Sequence, residues 1–154
     1  MTYACELIER AEQPTYTVRT LTPVSELPQL MGDVYARLGG ALGALGEEPT
    51  GPPFAAYHNM DMQDLDVEIG FTVARALTAQ DDMQPGVLPG GTFAACLFTG
   101  PYAEIGPAYE VLSAWVEGRG HQTSGAAYEL YLNDPSQTPP DQLQTQILFR
   151  LTDA

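Results

Sequence analysis

A chain that states one pattern twice is restricted to folds built from two like units, and this sequence does so. Aligning Tyr16–Gly40 with Ala94–Gly118 at a constant offset pairs Pro23 with Pro101, Glu26 with Glu104, Leu27 with Ile105, Val34 with Leu112, Leu38 with Val116 and Gly40 with Gly118. Each half then reads as a strand, a helix and two further strands. Two related half-sheets meeting about a pseudo-two-fold axis leave a seam, and a seam of this kind is where a small molecule is expected to sit.

The local signals support that scheme. Tyr16 and Val18 alternate with Thr17 and Arg19 in an opening strand over Thr15–Leu21, since alternate residues of a strand face opposite ways. Pro23 ends it, Ser25 is the expected helix cap, and Leu27, Leu30, Met31, Val34, Tyr35, Leu38, Leu42 and Leu45 recur at helical spacing. Phe54–His58 is the next strand. Leu65, Val67, Ile69, Phe71 and Val73 alternate with Asp66, Glu68, Gly70 and Thr72, the clearest period-two pattern in the chain. In the second half Phe93–Phe98 reads as a strand, Tyr102–Gly118 as a helix, Tyr128–Leu132 as a strand, and Leu143–Leu151 as the closing strand. Gly118 and Gly120 mark the helix stop. The stretch 79–91, rich in Pro, Gly and Asp, carries no apolar period and reads as a linker. The expectation is a single α+β domain over 1–154, its first repeat over about 1–78 and its second over about 92–154. A mainly antiparallel sheet with two helices on one side and a ligand groove between the halves would result.

Composition narrows the function. A chain of 154 residues buries roughly 70% of its extended surface without staples. No apolar run approaches the roughly 20 residues that span a bilayer, and Met1–Arg10 lacks the basic-then-apolar order of a secretory signal, so a cytoplasmic protein with no membrane role is expected. Six basic residues against twenty acidic ones leave a net charge of −14. No Lys/Arg cluster exists to neutralise a phosphate backbone, which argues against direct nucleic-acid binding. Cys5 and Cys96 are far apart in sequence and outside any CxxC spacing; His58 and His121 stand singly. Neither redox chemistry nor a metal site is expected, and no phosphate loop or nucleophile elbow calls for a cofactor.

The chemistry concentrates in Tyr128-Glu129-Leu130-Tyr131-Leu132-Asn133. On a strand, Glu129 and Tyr131 share one face. A carboxylate beside aromatic walls suits a lipophilic cation, because the charge is matched and the rings add apolar area and cation–π attraction. Tyr57, in Phe54–His58, stands where Tyr131 stands in the second half. Glu68 reads as a solvated carboxylate on the polar face of its strand and is kept as a secondary candidate, while Trp115 reads as helix–sheet packing.

The segment Gly100-Pro101-Tyr102-Ala103-Glu104-Ile105, followed by Ala108-Tyr109, Leu112, Trp115-Val116, Gly120 and Tyr128-Glu129-Leu130-Tyr131-Leu132-Asn133-Asp134-Pro135, resembles the GyrI-like small-molecule-binding domain. That family includes effector-binding domains of AraC- and MerR-type transcription regulators. Asp66-Val67-Glu68-Ile69-Gly70-Phe71 resembles its first-half hairpin, so the likeness covers nearly the whole chain. The resemblance implies a duplicated fold with a groove, Glu129 as the anchor for an aromatic-bound cation, and Tyr131, Tyr57 and Tyr102 as walls. Regulators of this family carry a helix-turn-helix domain before the sensor; here the first strand begins almost at once, so a stand-alone module is expected.

Three functions follow. The leading expectation is a protein that sequesters or senses small amphipathic molecules, cationic ones included, with Glu129, Tyr131, Tyr57, Tyr102 and Glu68 as ligand-binding residues. The second is a hydrolase, similar to GyrI-like enzymes that open electrophilic rings of natural products, with Glu129 as base and Tyr131 as proton donor. The third is an inhibitor module of the DNA gyrase inhibitor type acting on a protein partner, weakened because the acidic residues are scattered rather than in a run.

Overall fold

The order strand, helix, strand, strand occurs twice along the chain. In the computed structural model, which describes residues 3–152, the strands are β1 (Cys5–Arg10), β2 (Gln13–Thr22), β3 (Phe54–Tyr57), β4 (Leu65–Thr72), β5 (Gln84–Leu88), β6 (Gly91–Thr99), β7 (Thr123–Tyr131) and β8 (Gln144–Leu151). The helices are α1 (Leu27–Ala44), between β2 and β3, and α2 (Gly106–Gly118), between β6 and β7. All the pairings described are antiparallel, and the fold is α+β.

The chain divides into two compact units. One holds Glu12–Pro89; the other holds the described residues up to Ala11 together with those from Gly90 onward. In the first the strand order is β3-β4-β2-β5, and in the second it is β7-β8-β6-β1. Each is the same three-stranded sheet with one added edge strand, and each carries its helix on that sheet, α1 against β2 and β4 and α2 against β6.

Local chemistry repeats as well. Pro23 (φ −68°, ψ 147°) and Pro101 (φ −62°, ψ 143°) each open a short 3-10 turn, Val24–Glu26 and Tyr102–Glu104, that feeds the helix. Ser25 lies inside the first of these turns and caps nothing; the helix begins instead with Pro28 in its first turn, where a missing N–H costs nothing. Both helices stop the same way. The N–H groups of Gly46 and Glu47 return to the carbonyls of Gly43 and Leu42, and those of Gly120 and His121 to Glu117 and Val116. Gly46 (φ +71°) and Gly120 (φ +75°) take the left-handed conformation this closure requires.

Three expectations are corrected. The buried stripe is Val34, Leu38, Leu42 in α1 and Ala108, Leu112, Val116 in α2. Counted from the matching helix stops, Leu38 therefore corresponds to Leu112 and Leu42 to Val116, one turn away from the sequence alignment. The 18-residue α1 and 13-residue α2 tolerate either register because a shift of one turn preserves the face. The stretch read as a linker contains β5, paired with β2 through Tyr16↔Pro85; at a sheet edge a proline removes no needed hydrogen bond. Finally, the N-terminal segment forms β1 and pairs with β6 of the second repeat.

The second unit's core gathers Ala94, Cys96, Phe98, Ala108, Leu112, Val116, Ile147 and Leu151, with Trp115, Tyr109 and Phe149 packed on it. In the first, Tyr16, Val34, Leu38, Val67 and Ile69 are fully buried. The tightest approach in the first sheet is at Gly70, where an added Cβ would lie 2.3 Å from the Tyr16 carbonyl oxygen and 2.9 Å from Thr17 Cα. Backbone cannot yield as a side-chain tip can, so Gly70→Ala is expected to destabilise the protein by about 3 kcal/mol or more. Urea unfolding should show a lower midpoint at unchanged slope; a loss below about 0.5 kcal/mol would show that β2 and β4 are not packed this closely.

Candidate functional site

β7 places Glu129 by simple alternation. Glu129 lies opposite Ile147 of β8 and Tyr131 opposite Thr145. Ile147 belongs to the cluster under α2, so this face of β7 looks at the helix. The carboxylate is thereby carried into the core and is only 7% exposed. Tyr131 donates its hydroxyl to Glu129 Oε1 at 2.9 Å, and Tyr109, reaching down from α2, donates to Oε2. Among the described residues, no ion pair reaches Glu129.

The electrostatics follow. Burial pushes the Glu129 carboxyl above the ordinary carboxylate range, and the hydrogen bonds from Tyr109 and Tyr131 oppose that shift without cancelling it. Tyr102, in the 3-10 turn before α2, sets its ring edge-on to Tyr131 with centroids 5.5 Å apart and is 38% exposed, so it forms the outer rim of the cluster. Its hydroxyl is pushed up by burial and by the charges of Asp134 and Glu129. Thr145 is fully buried opposite Tyr131, and its Oγ1 makes no hydrogen bond among the described residues.

Of the residues singled out from sequence, Glu129, Tyr131 and Tyr102 therefore come together. Tyr57 and Glu68 belong to the other unit. Tyr57 is half-buried at the end of β3. Glu68 is not a simple solvated carboxylate: its Oε2 accepts from Thr17 Oγ1 at 2.7 Å and its Oε1 lies 3.1 Å from His58 Nε2. His58, which looked solitary in sequence, has this acidic neighbour. Among the described residues no group of three or more metal-ligating side chains is assembled, and no helix is long and apolar enough to cross a membrane. Trp115 packs on the core and is capped by the Arg119 guanidinium 4.4 Å above its ring.

Tyr109 and Thr145 are the site residues the sequence reading passed over. Tyr109 hid in the apolar stripe of α2. The available signal was its hydroxyl, which needs a partner once the ring is buried.

A raised carboxyl sets a sign for stability against pH. The folded state holds the Glu129 proton more tightly than the unfolded chain, whose value is about 4.3, so this group's stabilisation is complete below that value and is lost as pH rises through the folded pKa. Glu129→Gln, which mimics the protonated acid, should gain stability relative to the parent as pH increases from about 4 to about 8. Urea unfolding of both proteins across that range measures it, and a pH-independent difference would refute the raised carboxyl.

Comparison with curated proteins gives no match. Among solved structures, the crystal structure of the EcmrR C-terminal domain has 24% identity and a TM-score of 0.88, over 98% of this chain and 98% of that one. In a cryo-EM structure of EcmrR bound to DNA the match (24% identity, TM-score 0.86) covers 97% of this chain, which spans only 57% of the EcmrR chain. A hydrolase from Listeria innocua (15%, TM-score 0.68, 96% and 91% covered) and SAV2435 solved with tetraphenylphosphonium (12%, TM-score 0.64, 99% and 94% covered) share the fold. The family model of the GyrI-like small molecule binding domain matches residues 3–152, so the chain belongs to the GyrI-like family.

Proposed function

We propose that this chain binds small amphipathic molecules, lipophilic cations among them, with Glu129 as the polar anchor and Tyr109, Tyr131 and Tyr102 as aromatic surroundings, in a sensing or sequestering role. The observation that carries the reading is a carboxylate in the core whose two oxygens each accept from a phenol and which no ion pair among the described residues reaches. Such a group has its hydrogen bonds but no counter-charge, and a delocalised cation supplies that charge at little desolvation cost of its own. Thr145 Oγ1 offers a further polar contact. The fold relative SAV2435, solved with tetraphenylphosphonium, supports this ligand class, and the likeness to a C-terminal domain of EcmrR supports sensing.

Truncating one partner of a desolvated charge pair costs about 2–5 kcal/mol, which is about 30-fold or more in affinity. Fluorescence titration with a cationic dye and a neutral analogue should show Glu129→Gln losing that much for the cation and little for the analogue. Because only the ionised carboxylate pairs with the ligand, affinity of the parent protein should also rise with pH until Glu129 is fully ionised. Equal loss for both dyes would remove Glu129 from the role.

A hydrolytic reading has its own support: a carboxyl of raised pKa hydrogen-bonded to two phenols, in a fold shared with a protein described as a hydrolase. Glu129 would take a proton from water as its oxygen attacks a strained, electrophilic ring carbon; the ring bond breaks, and Tyr131 protonates the leaving atom. General acid–base groups contribute about 10²–10⁴-fold. Mass spectrometry over a panel of such compounds should then show ring opening, most of it lost in Glu129→Gln and less in Tyr131→Phe. Turnover that survives Glu129→Gln would exclude this carboxylate as the base.

A further inference from the structure

The two cysteines, remote in sequence, face each other in the fold. Cys5 of β1 is the register partner of Cys96 of β6, and Cys5 packs against the core cluster that holds Cys96. Directly opposed residues of an antiparallel pair have Cα atoms about 4.5–5.5 Å apart, inside the roughly 4.4–6.8 Å span that a disulfide bridges. Both thiols are free; Cys96 is buried and Cys5 is only partly so. Cys96 sits in the core beneath α2, with Cys5 packed against it from the edge strand.

We propose that Cys5 and Cys96 form a redox modification site, which a low-molecular-weight disulfide converts to an intramolecular cross-strand disulfide that fastens the edge strand β1 to β6. Burial first, and then the neighbouring Cys5, push the Cys96 thiol up to about 12, which keeps it protonated and leaves the first attack to the more exposed Cys5. The Cys5 thiolate attacks one sulfur of the oxidant, the oxidant's S–S bond breaks, and one thiolate leaves with the Cys5 proton. Cys96 then attacks the Cys5 sulfur of the mixed disulfide and expels the second thiolate, which takes the Cys96 proton. Two protein thiols are oxidised and one disulfide is reduced to two thiols. The consequence is mechanical. β1 has one neighbour strand, β6, and is far in sequence from the unit it completes; the bond makes that attachment covalent.

The test uses the full chain, reduced and then exposed to oxidised glutathione. Intact mass should fall by two hydrogen atoms with no adduct, free thiols should drop from two to none, and dithiothreitol should reverse both. Cys96→Ala should stop at a glutathione adduct on Cys5, and Cys5→Ser should stay unmodified. Amide exchange in β1 should slow by about tenfold or more on closure, as local opening is suppressed. A lasting adduct on Cys5 of the parent protein, a disulfide-linked dimer, no reaction, or β1 exchange unchanged after closure would each overturn the proposal.

Discussion

The second unit is organised around one costly act, the removal of the Glu129 carboxylate from water. The effective penalty for an ion in a protein interior is several kcal/mol, and hydrogen bonds to a charged group return about 1.5–3 kcal/mol each. Two phenols therefore bring Glu129 near balance without making it comfortable as an anion, which agrees with a carboxyl shifted upward despite both hydrogen bonds. Everything nearby serves that placement. α2 delivers Tyr109, β7 delivers Tyr131 two residues along the same face, and Phe149 of β8 stacks against Tyr109 with centroids 5.8 Å apart.

The first unit shows what the same scaffold does without the charge. Tyr35 on α1 stacks with Phe71 of β4 at 5.4 Å, as Tyr109 does with Phe149. Where Glu129 lies opposite Ile147, Ala55 lies opposite Ile69. There the Tyr35 hydroxyl donates to the Phe54 carbonyl at 2.8 Å. The tyrosine–phenylalanine pair is thus a packing device of the fold, used twice. Glu129 is the added element, and it draws onto itself a hydroxyl that otherwise satisfies backbone.

Much of this was legible because it rests on local periodicity. The strand alternation of Leu65–Phe71, the helix stop at Gly118–Gly120 and the common face of Glu129 and Tyr131 all follow from residue spacing, and the structure has them. What escaped depends on which strand neighbours which. β5 carries Pro85 and Gly86, turn-formers that become harmless at an edge, where no second neighbour asks for hydrogen bonds. The start of β7 was missed because its pairing slips between Thr123 and Ala127, and a bulge breaks the alternation that a reader relies on. His58 against Glu68 and Cys5 against Cys96 are long-range or cross-strand neighbours, and no spacing rule within one segment announces them.

The two strand carboxylates, Glu68 and Glu129, differ in what surrounds them. Glu68 lies on the face of β4 turned away from the line of Leu65, Val67 and Ile69, beside Asp66, which takes both nitrogens of the Arg19 guanidinium at 2.9 and 2.8 Å. Glu68 itself has a hydroxyl donor and a histidine that becomes a cation on protonation. Three of the six arginines, Arg19, Arg37 and Arg75, are spent on surface carboxylates, and Arg119 lies on Trp115. In a chain of net charge −14 basic groups are scarce, and among the described residues no ion pair reaches Glu129. On the proposed function, the surrounding field would favour the approach of positive ligands, and inside, where screening by water is weak, their attraction to Glu129 would be strongest. On that proposal selectivity would rest on shape and polarisability, because a compact, strongly hydrated cation surrenders more on entering a site walled by tyrosines than a diffuse aromatic one does.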